Sequence, residues 1–154
     1  MELIIKKLHI ILGNQLFPIN EINKLDSSLI FMAEDYDLCS EYKHHKLKIL
    51  NFLVSMREYR DQLIKHGLNV FYSTIESPDF EIPFESKLIK IFEQKKITEV
   101  SFYEIEDYLF EQKIIKFLNK NSIKFSIIPS PMFLCSRSKF LEFSQNNKSL
   151  RMSS

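Results

Sequence analysis

The stretch LHIILGN at residues 8–14 decides the fold class of this chain. Its first five residues are almost all apolar and partly β-branched, which predicts a strand covered on both faces. Gly13 with Asn14 predicts the turn that ends this strand. Because the strand-like runs of the chain alternate with helical patterns, they indicate βαβ units and a parallel sheet. The four further runs lie at residues 28–33, 69–73, 99–103 and 124–128.

The longest helical pattern lies between the second and third strands, from about residue 42 to residue 66. Apolar side chains recur there at spacings of three and four, so one face of the helix is expected to pack on the sheet. Gly67 follows the helix in the position of a left-handed C-terminal cap. The predicted buried stripe consists of Ile49, Leu53, Met56 and Leu63, widened by Leu47, Leu50 and Val54.

Three shorter helices are predicted, and Asp107 is expected to be a favourable acid at the N-terminus of the second. With right-handed crossovers the elements form a doubly wound, Rossmann-like α/β fold. Its five parallel strands take the order 3-2-1-4-5, with helices on both faces. The shorter helices are placed at about residues 84–94, 107–119 and 138–145, and the longest loop at residues 73–83.

Ligands of doubly wound sheets bind outside the carboxyl ends of the strands where the winding reverses, here between strands one and four. The loop Gly13–Leu16, Glu34 after strand two and Glu104 after strand four are expected to meet there. A glycine lets the backbone approach a planar ligand, and the amides of Asn14 and Gln15 can donate and accept hydrogen bonds. The alternative is a tight turn in which Asn14 bonds to its own backbone.

Two carboxylates and a pair of histidines are further candidates. Glu34 and Glu104 could accept hydrogen bonds from ring N–H groups or ribityl hydroxyls, or they could be solvated or cap a helix. His44 and His45 point about 100° apart on a helix, so they do not readily share a metal. One histidine facing the crevice is the favoured interpretation. Because nothing beside these groups suggests a nucleophile, we predict no catalytic residue and no metal site.

Composition excludes several classes of function. The 154 residues suffice for one domain, and 21 basic against 20 acidic side chains give a net charge of +1. We therefore expect little or no binding of nucleic acid by this chain alone. Only two glycines are present, which excludes GxGxxG and P-loop motifs. Cys39 and Cys135 form no CxxC motif, and no signal peptide or apolar run of about 20 residues is present, which predicts a reduced, cytoplasmic protein off the membrane.

Six short motifs together resemble one family. Residues 10–16, IILGNQL, resemble the opening ILGDQL of the photolyase-related proteins, the bacterial cryptochromes and photolyases whose full-length members carry an iron–sulfur cluster. Residues 32–34, MAE, resemble the motif after the second strand of those proteins. The other matches, in the order that the family has them, are HHKLKI at 44–49, SMR at 55–57, FLCSR at 133–137 and LRM at 150–152.

The resemblance implies an N-terminal photolyase-type α/β domain over residues 1–152. In full-length relatives this domain holds an antenna chromophore, 6,7-dimethyl-8-ribityllumazine in this branch. The antenna passes excitation to FAD in a helical C-terminal domain, which repairs (6-4) photoproducts in DNA. Carried over to this chain, the resemblance implies that Met32 packs against the chromophore ring. The implied chromophore neighbours are Gly13, Asn14, Gln15, Leu16, Met32, Glu34, His44, His45 and Glu104.

The chain departs from the family pattern at three places. One is Glu41 with Tyr42, before the histidine pair, where more aromatic character is expected. Asn14 stands where Asp is usual, which removes a charge but keeps a hydrogen-bonding group. The sequence ends at Ser154, where the family continues into its helical domain, so we expect neither FAD nor a 4Fe-4S cluster in this chain. Alone, the polypeptide is therefore expected to carry out no repair.

Four hypotheses are open at this point. The leading one is a stand-alone or truncated antenna-binding domain that acts in light-driven DNA repair or light sensing. The second is one subunit of a split (6-4) photolyase, whose separate partner chain supplies FAD and the cluster and covers an apolar patch on this chain. The third is a nucleotide-binding or interaction protein that kept the fold and lost the photochemistry, and the fourth is a gene remnant.

Overall fold

Five parallel strands form one sheet in the computed structural model, which describes residues 7–146. The strands are β1 (Lys7–Ile10), β2 (Leu29–Ala33), β3 (Val70–Ser73), β4 (Glu99–Tyr103) and β5 (Lys124–Ile128). The helices are α1 (Ile19–Ile22), α2 (Tyr36–Ser40), α3 (Lys46–Lys65), α4 (Phe84–Lys95), α5 (Tyr108–Lys120) and α6 (Arg137–Asn146). The order β3-β2-β1-β4-β5 confirms the predicted doubly wound topology. The LRM motif at 150–152 and residues 1–6 of the predicted domain lie outside the described residues.

Two apolar layers hold the helices against the sheet. On one face Leu8 and Phe102 pack with α4 and α5, through side chains such as Leu88 and Ile114. On the other face α1 and α3 cover the sheet, and Met32 lies among their side chains. Successive residues of a strand point to opposite faces, so strands that are apolar throughout can feed both layers. The prediction of helices on both faces is therefore confirmed.

Helix α3 begins at Lys46, about four residues later than predicted, because His45 caps it. The backbone of His45 is extended, and its Nδ1 accepts a hydrogen bond from the N–H of Leu47 at 3.2 Å. The end of the helix is as predicted. Gly67 has a φ of +82°, and its N–H bonds to the carbonyl of Ile64 at 2.9 Å, a left-handed cap that glycine adopts without strain.

The prediction of a wide buried stripe on α3 is wrong for its three outer positions. Leu47, Leu50 and Val54 are 61%, 57% and 44% exposed, whereas Met56 and Leu63 are buried. The N-terminal half of α3 borders a cavity beyond the strand ends. It therefore buries a narrower stripe than a helix that rests on a sheet over its full length.

The C-terminal part of the fold is less buried than predicted. Strand β5 lies at the edge of the sheet and Ile127 is 37% exposed, so the expectation that the strands are covered on both faces is wrong there. Helix α6 is present where a helix is predicted, but none of its residues is buried. The sequence pattern does not predict α1 and α2, because helices of four and five residues are too short to show a period.

Candidate functional site

A cavity of about 260 Å³ opens at the carboxyl ends of β1, β2 and β4, between α3 and the start of α5. We call this cavity the crevice, and it lies at the predicted reversal point of the sheet, between β1 and β4. The apolar part of its lining consists of Leu12, Ala33, Ile49, Phe52, Leu53, Met56, Ile105 and Phe110. The polar part consists of Asn14, Glu34, Asp35, His44, Lys48 and Asp107. Apolar walls with a few polar groups are typical of small-molecule sites.

A second cavity, of about 430 Å³, lies beside the crevice and shares Asp35, Asp107 and Phe110 with it. We call it the outer cavity. It is more polar than the crevice, because Asp37 and Glu41 from the region of α2 contribute to its lining. The two cavities together offer an apolar inner part and an acidic outer part at one edge of the sheet.

Four of the nine predicted site residues line the crevice: Gly13, Asn14, Glu34 and His44. The turn after β1 supplies the first two, the end of β2 supplies the third, and the segment before α3 supplies the fourth. The side chain of Asn14 donates from Nδ2 to Glu106 Oε2 at 2.8 Å. The ring of His44 lies 6.1 Å from that of Tyr42, and it is partly exposed.

The other five predicted residues do not line the crevice. Met32 is fully buried between the sheet and α3, and Leu16 packs at the margin of the same apolar cluster. His45 caps α3. Gln15 is fully buried and donates from Nε2 to the carbonyl oxygen of Glu104 at 2.9 Å. The carboxylate of Glu104 accepts a hydrogen bond from the backbone that follows β5.

Gly13 allows side chains of α3 to pack closely against the turn after β1. A Cβ atom at this position would lie 2.4 Å from Phe52 Cε1 and 2.6 Å from the sulfur of Met56. Such distances are far inside van der Waals contact, so any larger residue must displace these side chains. The backbone at Gly13 therefore lies close to Phe52 and Met56, which form a wall of the crevice, and the expected approach to a planar ligand stays a prediction.

Glu34 is the most strongly hydrogen-bonded side chain of the site. Arg57 donates from Nε to Oε1 at 2.6 Å and from Nη2 to Oε2 at 2.9 Å. The hydroxyl of Tyr72 donates to Oε1 at 2.8 Å, and the N–H of Ile75 donates to Oε2 at 2.7 Å. We call these four residues the Glu34 network. It joins β2, α3, β3 and the loop that follows β3 at one fully buried carboxylate.

The protonation states of the Glu34 network follow from these contacts. Burial acts to raise the pKa of the Glu34 carboxyl, but the bonds from Arg57, the Ile75 N–H and Tyr72 outweigh it and hold the pKa below its ordinary value. Burial first, and then the bond to Glu34, raises the pKa of the Tyr72 hydroxyl. At neutral pH the network is therefore a carboxylate surrounded by donors, and its hydrogen bonds are made within the protein.

A buried ion pair lies next to this network. Lys87 Nζ is 2.6 Å from Asp35 Oδ2, and the two side chains are 2% and 1% exposed. Lys87 also donates to the carbonyl oxygen of Phe80 at 2.9 Å. Lys87 therefore links α4 and the loop before it to Asp35. This residue follows β2 and lines both cavities.

A third set of bonds fixes the opposite wall of the crevice. Arg137 donates from Nη1 to the buried Glu111 at 2.7 Å and from Nη2 to the carbonyl oxygen of Ile105 at 2.6 Å. Glu111 in turn accepts the N–H of Ile105 at 2.7 Å. Asp107, as predicted, stands at the N-terminus of α5, where it accepts the N–H of Phe110 at 3.0 Å.

Sequence reasoning missed Arg57, Lys87 and Arg137, although they hold the walls in place. The sequence contains a signal for two of them, because Arg57 is the last residue of the SMR motif and Arg137 is the last residue of the FLCSR motif. Lys87 carries no such signal, since a lysine in a helical pattern is ordinarily exposed. Its partner Asp35 lies 52 positions earlier in the sequence, so no local pattern joins them.

Cysteine and metal chemistry have little support in the part of the chain that the structure describes. Cys39 lines the crevice, and burial together with the charges of Asp35 and Glu34 raises the pKa of its thiol, which keeps it protonated and unreactive. Cys135 is exposed, and neither cysteine forms a disulfide.

Within residues 7–146 no group of three His, Cys, Asp or Glu side chains is placed to hold a metal. In the same part of the chain, no helix is long and apolar enough to cross a membrane.

The doubly wound parallel sheet with helices on both faces defines a Rossmann-like α/β domain, and its crevice lies at the reversal point of the sheet. Over residues 9–154 the sequence matches the family described as deoxyribodipyrimidine photo-lyase-related protein. The chain belongs to that family, as its motifs predict, and its place in the iron–sulfur, (6-4) branch stays a prediction. A search among curated proteins finds no significant match.

Proposed function

We propose that this chain binds a planar antenna chromophore of the ribityl-lumazine type in the crevice and passes its excitation to a flavin, in light-driven DNA repair or light sensing. The single observation that carries this proposal is an apolar crevice at the β1–β4 reversal point of a photolyase-related protein. The chain itself supplies binding and orientation in this proposal. The chromophore supplies the light absorption when it is bound.

The lining and the volume of the crevice support a planar, largely apolar ring as the ligand. Phe52 and Ile49 of α3 form one wall, and Ile105 with Phe110 contributes to the other side. Its volume of about 260 Å³ is close to the lower limit of ordinary ligand sites, about 300 Å³. The outer cavity adds room for a flexible chain beside the ring.

The charge of the outer cavity favours an uncharged ligand over a nucleotide. Asp37, Glu41 and Asp107 line it, and its Lys113 lies 2.9 Å from Glu85. A phosphate group would meet carboxylates there, whereas polyol hydroxyls can donate hydrogen bonds to them. The N-terminus of α5 offers little to an anion, because Asp107 already caps it. These contacts support a ribityl chain and weigh against the nucleotide-binding hypothesis.

The rigidity of the walls supports an antenna role. The Glu34 network, the Asp35–Lys87 pair and the bonds of Arg137 fix three sides of the crevice through buried groups. A chromophore between such walls keeps one orientation, which energy transfer requires.

Replacement of a wall residue tests the proposal. Phe52→Ala removes an aromatic wall that is 39% exposed, so the fold is expected to survive, and the affinity for 6,7-dimethyl-8-ribityllumazine is expected to fall at least about tenfold. Leu50→Ala is the matched control, because Leu50 lies on the same helix, is more exposed and does not line the crevice. Fluorescence titration measures both affinities. Equal affinities in the two variants would contradict the crevice as the binding site.

A second candidate function, the subunit of a split photolyase, is favoured by exposed apolar side chains in and before α6. Exposed apolar side chains that cluster on one part of a surface often mark a site where another protein binds. Those in and before α6 include Met132, Phe133, Leu134, Phe140 and Leu141, and Leu134 is fully exposed. A separate flavin-binding helical chain would cover this surface.

The split-photolyase candidate is tested by binding to a purified helical, FAD-binding domain of a photolyase-related protein. Analytical ultracentrifugation is expected to show a one-to-one complex, and Leu134→Ser with Leu141→Ser is expected to weaken it. Leu47→Ser, at an exposed apolar position on α3, is the matched control. A complex that both kinds of variant leave unchanged would exclude this surface as the interface.

A further inference from the structure

Two side-chain amides tie the turn after β1 to the segment after β4. Asn14 donates from Nδ2 to Glu106 Oε2 at 2.8 Å, and Gln15 donates from Nε2 to the carbonyl oxygen of Glu104 at 2.9 Å. Both bonds span the reversal point of the sheet. Of the two amides, only Asn14 lines the crevice.

The bond to Glu106 fixes which end of the Asn14 amide is used. A carboxylate can only accept hydrogen bonds, so its partner must be the NH₂ group of the asparagine. The carbonyl Oδ1 of the same amide is then left as an acceptor. No hydrogen bond to this oxygen is found among residues 7–146. Glu106 has itself one buried oxygen, Oε1, without a hydrogen-bond partner in the described part of the chain.

We propose that Glu106 is a positioning residue, which holds Asn14 so that the crevice presents a hydrogen-bond acceptor to its ligand. As a consequence, the crevice is expected to bind planar rings that carry an N–H donor on their edge, such as the imide of a pteridinedione, more tightly than rings without one. This inference rests on the proposed function, since it concerns the ligand of the same crevice. It assigns the selectivity to Glu106, which does not itself line the crevice.

A pair of ligands tests the selectivity. The probes are 6,7-dimethyl-8-ribityllumazine and its N3-methyl derivative, which differ in the ring N–H. Loss of one hydrogen bond, with the acceptor left unpartnered, is expected to weaken binding of the methylated ring about tenfold. Fluorescence titration gives both dissociation constants.

Variants separate positioning from simple steric exclusion of the methyl group. In Glu106→Gln the new amide can donate to Asn14, which allows the Asn14 amide to turn, and the discrimination is expected to fall to about threefold or less. The double change Asn14→Asp with Glu106→Gln is expected to restore it, because the amide introduced at position 106 then donates to a carboxylate that still offers a free acceptor oxygen. Asn14→Ala, at an exposed position, removes the acceptor and is expected to lose the discrimination without loss of folding.

The outcomes distinguish this inference from the proposed function. Binding of the lumazine with equal discrimination in the wild-type protein and in Glu106→Gln would overturn the role of Glu106 and leave the antenna site standing. Equal binding of the two ligands by the wild-type protein would overturn the selectivity. Absence of lumazine binding to the folded wild-type protein would overturn the proposed function and this inference with it.

Discussion

The end of β2 and the region of α6 differ in which side chains they bury and which they expose. Around the end of β2, charged side chains are buried and paired: Glu34 with Arg57, and Asp35 with Lys87. In and before α6, apolar side chains are exposed, and Arg137 provides the main polar attachment. The buried charges of the first region are therefore paired within the chain, whereas the second region exposes apolar side chains to solvent. This contrast agrees with the two proposals made above, a ligand at one site and a partner on another surface.

The largest expected effect comes from breaking the buried pair. Lys87→Met leaves Asp35 buried without its lysine, and we expect a loss of about 3–5 kcal/mol in the free energy of unfolding. Urea denaturation measures it. The control is Lys90→Met, on the same helix as Lys87. It removes a more exposed ion pair, which Lys90 forms with Asp79 of the preceding loop, and is expected to cost about 1 kcal/mol or less. Similar losses in both variants would show that the Asp35–Lys87 pair does not stabilise the end of β2.

The second-largest expected effect concerns the centre of the sheet, where the free energy of unfolding is expected to depend on pH. His9 is buried in β1, bonded to Ser101 at 2.9 Å, and burial lowers the pKa of its imidazole from 6.5 to about 4. The unfolded chain binds a proton at higher pH than the folded chain does, so stability falls as the pH falls from 6.5 toward 4. The expected slope for this group is about 1.4 kcal/mol per pH unit.

Denaturation between pH 6.5 and 5 checks the role of His9, in a range above the ordinary pKa of carboxyl groups. In His9→Gln this contribution to the slope is expected to disappear. His66→Gln changes an exposed histidine at the end of α3 and serves as the control. The same slope in wild-type protein and in His9→Gln would contradict a buried neutral imidazole.

Removal of the α6 attachment is expected to have a smaller effect on the whole fold. Arg137→Ala deletes the bonds to Glu111 and to the Ile105 carbonyl. Glu111 is buried but keeps the N–H of Ile105 as a donor, and Arg137 itself is 45% exposed, so we expect a cost of about 1–2 kcal/mol, less than in Lys87→Met. Limited proteolysis is expected to cut in or near α6 before any other segment. Protection of α6 in this variant would show that other contacts hold it.

The smallest effect is expected on the exposed apolar surface. Leu141→Ser changes a side chain that is 57% exposed, so the free energy of unfolding is expected to move by no more than about 0.5 kcal/mol. Leu118→Ser, on α5 and fully buried, is the comparison and is expected to cost several times as much. A large loss in Leu141→Ser would mean that α6 is part of the core, and the contrast between the two regions would fail.

The fold can be predicted because its evidence is local. Each strand is a short, largely apolar run, the turns at Gly13 and Gly67 are visible in the sequence, and the right-handedness of crossovers leaves only a few strand orders to choose from. The start of α3 is harder to place, because the cap is formed by His45, which is not among the usual capping residues. Exposure of Leu47 and Leu50 cannot be predicted either, since an apolar stripe looks the same beside a cavity as beside a sheet.

The site can be predicted only in part. Residues that directly follow strands, such as Gly13, Asn14 and Glu34, can be found because the topology alone brings strand ends together. The charged partners of Glu34 and Asp35 come from α3 and α4, and no pattern in the sequence pairs residues so far apart. Family membership supports the choice of motifs, and the chromophore itself stays a proposal.

A competition titration tests the central claim most directly. The purified protein is titrated with 6,7-dimethyl-8-ribityllumazine, followed by absorption and fluorescence, with FMN and ATP as competitors. The account predicts saturation at one lumazine per chain, with little displacement by either phosphorylated competitor. No lumazine binding to the folded protein, or its displacement by ATP at comparable concentration, would contradict it.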